Sequence, residues 1–186
     1  MRKLLIAITF MLSMTSIAQE QFKLTETESI PTQSVILKKD STKTAEELYN
    51  LTLGWINEMY KQPDEVIKAR THGEFIKING STNFYVKTGV GRVKRMVKYT
   101  ITFKFKDGLI KMSVIDASTY TPPSQYSSGG WHDAEFHRRV VLKKNGKPRK
   151  ALNEMNNQLA DQAESEFNAL LKSLLDFEGS VVDESW

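Results

Sequence analysis

Apolar residues recur at every second position from Val97 to Phe105 and again from Ile110 to Val114, with Asp107-Gly108 between the two runs. Folding the chain back at that dipeptide sets Phe105 beside Ile110, Phe103 beside Met112 and Ile101 beside Val114. One face is then apolar, and Thr102, Lys104, Lys111 and Ser113 fall on the other. A slip of one residue would mix the two faces, so the pattern predicts both the antiparallel hairpin and its register.

A different period governs TAEELYNLTLGWINEMYKQ. Leu48, Leu51, Thr52, Trp55, Ile56 and Met59 return at threes and fours, which lays them along one side of a helix. Thr44 and Glu47 ahead of them have capping-box spacing, and Pro63 marks the stop. The last stretch, Pro148 to Leu175, carries a second such stripe: Leu152, Met155, Leu159, Ala163, Phe167, Leu170 and Leu174. Proline suits a first helical turn because its missing N–H is not needed there.

Short apolar runs supply the remaining strands. SVILKKD reads as the first, and EVIKART and GEFIKI flank His72-Gly73, with Asn79-Gly80 reading as a tight turn. A Ser-, Pro-, Gly- and Tyr-rich loop fills Ala117 to Asp133, and a further strand is expected through Phe136, Val140 and Leu142. The order is β-α-β-β-β-β(-β)-α. Two amphipathic helices and a one-sided hairpin are buried most simply as an α+β domain, with both helices on one face of a curved antiparallel sheet. The opposite face stays wet.

The ends are set apart by composition. MRKLLIAITFMLSMTSIAQE has a basic start, an apolar run from Leu4 to Met14 and small residues Ser16 and Ala18, the three parts of an export signal. Residues 1–18 are expected to be that signal, cleaved near Ala18, and residues 19–33 a flexible lead-in. A single domain is expected over 34–178, followed by a short tail, 179–186. The apolar run has eleven residues, short of the roughly 20 that a spanning helix needs, so no anchor is expected in the mature chain. The chain has no cysteine, which excludes disulfides and an acylated lipoprotein cysteine. These features predict a protein exported to the periplasm or the exterior. Without Arg2 and Lys3 the cations number 24 against 22 anions, so overall charge gives no reason to expect nucleic acid as a partner.

YNLTLGWINEMYK, VIKARTHGEFIKINGS and YTITFKFKDGLIKMSV together resemble an uncharacterised family of exported bacterial proteins, a domain of unknown function with a TATA-binding-protein-like fold. The resemblance runs from about Val35 to Leu174 and rests on the order of elements, Trp55 and the glycine-punctuated strands. It implies envelope proteins of Bacteroidetes type. It carries over no site residue, and fold does not dictate function. The chain departs from the family pattern in the long aromatic segment from Tyr120 to His137 and in the basic run after it.

GGWHDAEFHRR, Gly129 to Arg139, concentrates the chemistry-bearing side chains. Zinc wants three or four converging ligands, but His132 and His137 are five apart, a spacing that separates them on strand and helix alike. No metal and no cofactor is expected. Ser127, Ser128, His132 and Asp133 lie close enough in sequence to keep an envelope hydrolase as the alternative, although no G-x-S-x-G elbow occurs. Tyr120, Tyr126 and Trp131 either present rings to a ligand or fold back over the core. Arg138, Arg139, Lys147, Arg149 and Lys150 belong to a run without acids that leads into the last helix. Cations beside a helix N-terminus form an anion site or a solvated face. In GVGRVKRMVK, Arg92, Lys94 and Lys98 extend that positive surface if they share the wet face. The leading expectation is a non-catalytic binding module for a protein partner or an anionic glycan or lipid group.

Overall fold

The computed structural model describes residues 21–89, 91–125 and 128–178. The expected signal (1–18), Tyr126, Ser127 and the tail (179–186) lie outside the described residues. Chain order is β1 (Ser34–Lys38), α1 (Ala45–Met59), α2 (Pro63–Val66), β2 (Ile67–Thr71), β3 (Phe75–Thr88), β4 (Gly91–Lys106), β5 (Leu109–Thr121), β6 (Gly130–Asp133) and α3 (Lys150–Asp176). The strands form one antiparallel sheet in the order β1-β5-β4-β3-β2, and β6 lies along the far half of β5.

The central hairpin has the register that its alternation predicts: Ile101 opposite Val114, Phe103 opposite Met112 and Phe105 opposite Ile110. Beyond Val114 the ladder skips Ile115, so that Thr100 meets Asp116. That bulge resets the alternation and returns Ala117 to the inner face, where it is buried. Inner-face residues of β1, β3, β4 and β5 share one core with Leu48, Trp55 and Ile56 of α1 and with Ala163, Phe167 and Leu174 of α3. Both helices therefore cover the same face. Trp55 packs on Phe103 with ring centroids 5.9 Å apart, and its Nε1–H donates to Ser173 Oγ of α3 at 3.0 Å. The start of α1 is the capping box: Thr44 Oγ1 accepts from Glu47 N at 3.2 Å, and Glu47 Oε2 accepts from Thr44 N at 2.7 Å.

Four sequence expectations are corrected. Asn79-Gly80 is no turn; β3 runs through it from Phe75 to Thr88. The expected strand through Phe136, Val140 and Leu142 is not formed. Phe136 is buried and bridges Ile30, while Val140 and Leu142 are exposed and lack a covered face to fill. The strand lies earlier, at Gly130–Asp133, and shortens the predicted loop by pairing with Ser118–Thr121. Finally, residues 21–33 are packed in place. Phe22, Leu24 and Ile30 are buried, and Asn168 of α3 bonds the backbone of Phe22 in both directions, at 2.8 and 2.9 Å.

Candidate functional site

With both helices on one side, the other side of the sheet is left to solvent. Strand alternation decides what it displays. Since Ile76, Ile78, Phe84 and Val86 of β3 are buried, Lys77, Asn79, Ser81 and Tyr85 face outward. By the same rule β4 presents Lys94, Met96, Lys98, Thr100 and Lys104, and β5 presents Lys111, Ser113, Asp116, Ser118 and Tyr120. Lys104 and Lys111 are direct cross-strand partners, an arrangement that costs stability because like charges meet side by side. Lys77, Lys94, Lys98, Lys104 and Lys111 thus share a face with the carboxylates of Asp116 and Asp133, the latter paired through the backbone with Ser118.

Tyr120 and Trp131 are cross-strand partners on this face, with ring centroids 5.4 Å apart. Gly129 closes the hairpin between them; its φ of +70° and a backbone gap in which a Cβ would stand 2.5 Å from Pro123 N both require glycine. Trp131 is 39% exposed, and Lys98 Nζ lies 4.1 Å above its ring centroid, within cation–π range. Farther along, the Arg92 guanidinium covers Tyr85 at 5.6 Å. The aromatic pair is neither free in a loop nor folded into the core; it is a wall of the open face.

A cleft of about 640 Å³ opens where β2 begins and the turn after α1 crosses the edge of β3. Lys68, Lys98, Thr100, Asp116 and Ser118 line it from the sheet, and Tyr60, Gln62 and Glu65 from the turn and α2. Thr100 Oγ1 donates to Asn79 Oδ1 at 3.0 Å in its floor. Burial pushes the Tyr60 and Tyr99 phenols up from their ordinary values, so both remain protonated hydrogen-bonding groups at any physiological pH. A second hollow of about 490 Å³ lies at the opposite end of the face, bordered by Ile36, Leu109, Lys104 and Lys111.

The basic run is not gathered with the aromatic pair. Arg138 is taken up structurally: Nη1 meets Asp161 at 2.7 Å, Nη2 meets Glu164 at 2.6 Å and Nε donates to Leu24 O at 3.0 Å. Burial opposes its charge, and the two α3 carboxylates more than restore it, so its pKa rises. Arg139 is paired with Glu135. Lys147, Arg149 and Lys150 are exposed at the start of α3, in the helix layer. Arg149 is the N-cap residue without a side-chain cap, and the first turn holds no acid.

The histidines remain apart. His72 stands 3.7 Å from Glu46, His137 Nδ1 accepts from Arg139 N, and His132 is on β6. His132 and Asp133 are neighbours on one strand and so point to opposite faces. Among the described residues no group of three or more histidine or acidic side chains is placed to hold a metal. No described helix is long and apolar enough to cross a membrane.

The family described as "Domain of unknown function (DUF4468) with TBP-like fold" matches residues 33–119, from just before β1 into β5. Over those residues the chain is similar to that family. The match is shorter than the resemblance from Val35 to Leu174, and leaves β6, the basic run and α3 beyond it. A solved DUF4468 family protein from Bacteroides ovatus ATCC 8483 is similar over 76% of this chain and 84% of its own, with a TM-score of 0.55 and 14% identity. A TBP-like protein from Parabacteroides distasonis ATCC 8503 is similar over 78% and 93%, with a TM-score of 0.49 and 15% identity. No curated protein matches the chain. The DUF4468 segment contains all the sheet residues of the cleft but not Trp131.

Proposed function

We propose that the protein is a non-catalytic binding module, exported to the bacterial envelope or beyond, that captures an anionic ligand on the open face of its sheet. The observation behind this reading is the outward set Lys77, Lys94, Lys98, Lys104 and Lys111, with Lys104 and Lys111 held side by side. Adjacent like charges cost folding energy, and local rules are broken in this way where a site requires it. A shared anion would relieve the repulsion. The aromatic pair at the rim adds contact area at small ordering cost.

The test uses dextran sulfate against uncharged dextran, which share a backbone and differ in charge. The chain from residue 19 onward is expected to bind only the sulfated polymer, with affinity falling steeply as salt rises, and to lose most of it in Lys104→Glu/Lys111→Glu. Equal binding to both polymers, or to neither, refutes the reading. Export is tested by fractionating cells that carry the full chain and a version without residues 1–18; both remaining in the cytoplasm refutes it.

A further inference from the structure

We infer that the cleft at the β3 edge is a saccharide site, and that the sugar it takes carries a carboxylate. This rests on the reading of the open face as an anion-binding surface and names the ligand class and its seat. The volume, about 640 Å³, falls within the range of small-molecule sites.

The lining decides the chemistry. Lys61, Lys68 and Lys98 supply three ammonium groups, and Glu65 and Asp116 supply two carboxylates. A bare phosphate or sulfate offers acceptors only, and the two carboxylates would repel it. A neutral sugar would satisfy those carboxylates through its hydroxyl donors, yet leave the one surplus positive charge of the lining unmet. A uronic-acid residue meets both demands, its carboxylate toward the lysines and its hydroxyls toward the acids.

Gln62, Asn79, Ser81 and Ser118 donate and accept alike, as ring hydroxyls do. The Tyr60 hydroxyl in the same lining is buried beside the Tyr99 phenol, with which it interacts, so these two rings close the inner end of the cleft. Lys98 ties the cleft to the rim, because its ammonium also sits above Trp131.

Trigalacturonate is the probe, titrated by calorimetry into the chain from residue 19 onward, with maltotriose as its uncharged counterpart. Wild type is expected to bind trigalacturonate at least tenfold more tightly than maltotriose. Lys98→Met, and Ser81→Tyr, which fills the cleft from an exposed strand position, should each weaken trigalacturonate at least tenfold, whereas Lys172→Met, on the exposed side of α3, should change it less than twofold. Retained dextran sulfate binding by Ser81→Tyr shows that this variant is folded. If trigalacturonate binds no better than maltotriose while dextran sulfate still binds, or if Lys98→Met and Lys172→Met weaken it equally, the cleft is not the seat and only the broader reading survives. If neither polyanion binds, both readings fall.

Discussion

The ring of Tyr99 occupies the space that a side chain at Gly80 would need: a Cβ there would stand 2.5 Å from the phenol oxygen and closer still to ring carbons. The ring has little freedom to withdraw, because it also meets Phe167 edge-on at 5.2 Å. Gly80→Ala should therefore destabilise the protein by about 2 kcal/mol through overpacking. Tyr99→Leu in the same chain should recover part of that loss. Urea unfolding of wild type and the two variants checks it; a neutral Gly80→Ala would mean that the ring moves freely.

Gly80 also explains why one turn was misread and another was not. Asn79-Gly80 and Asp107-Gly108 carry the same local signal. At Asp107-Gly108 the apolar alternation stops and restarts, and Gly108 adopts φ +71°. At Asn79-Gly80 the alternation passes straight through, from Ile76 and Ile78 to Phe84 and Val86, so the uninterrupted period was the signal to follow. The outward lysines were legible for the same reason, since period alone assigns Lys104 and Lys111 to one face. What Arg138 does was not legible: its partners Asp161 and Glu164 lie on α3 and come within reach only through the tertiary fold. The cleft was hidden likewise, because one wall is the turn around Pro63, which reads locally as a helix stop.

Arg138 joins the segment from β6, the residues before β1 and α3. Arg138→Ala should cost about 2 kcal/mol, as loss of hydrogen bonds to charged partners does, while Arg139→Ala, whose partner Glu135 is on the surface, should cost well under 1 kcal/mol. Amide hydrogen exchange should rise in residues 22–30 in the first variant only. Equal effects from both arginines would contradict the structural role of Arg138.

Beyond its pairing with β2, the edge of β3 is closed by two glutamines. Gln162 accepts from Tyr85 N at 2.6 Å and donates to Tyr85 O at 2.9 Å, and Gln158 repeats the pattern at Lys87. An uncovered strand edge is a template for pairing between chains. Gln158→Ala/Gln162→Ala is expected to leave secondary structure intact by circular dichroism but to promote self-association at high concentration. Sedimentation velocity reads the outcome; a monomer at every concentration would show that the glutamines do not protect the edge.

Three carboxylates are held below their ordinary range by hydrogen bonds that exist only in the folded chain. Glu47 is lowered by the backbone and hydroxyl of Thr44, Asp40 by the hydroxyl and backbone of Thr42, and Glu135 by Ser29 and Arg139. A carboxylate with a lowered folded-state pKa binds its proton more readily in the unfolded chain. Its contribution is therefore complete above the unfolded value and is lost as pH falls through the folded one. Melting temperature should stay level from pH 7 to about 5 and decline below about 4.3. Glu47→Gln removes one of the three charges, so this variant should melt below wild type at pH 7 and converge on it near pH 3, where the wild-type carboxyl is itself neutral. A gap that stayed constant across that range would mean that the glutamate acts through its shape and not its charge.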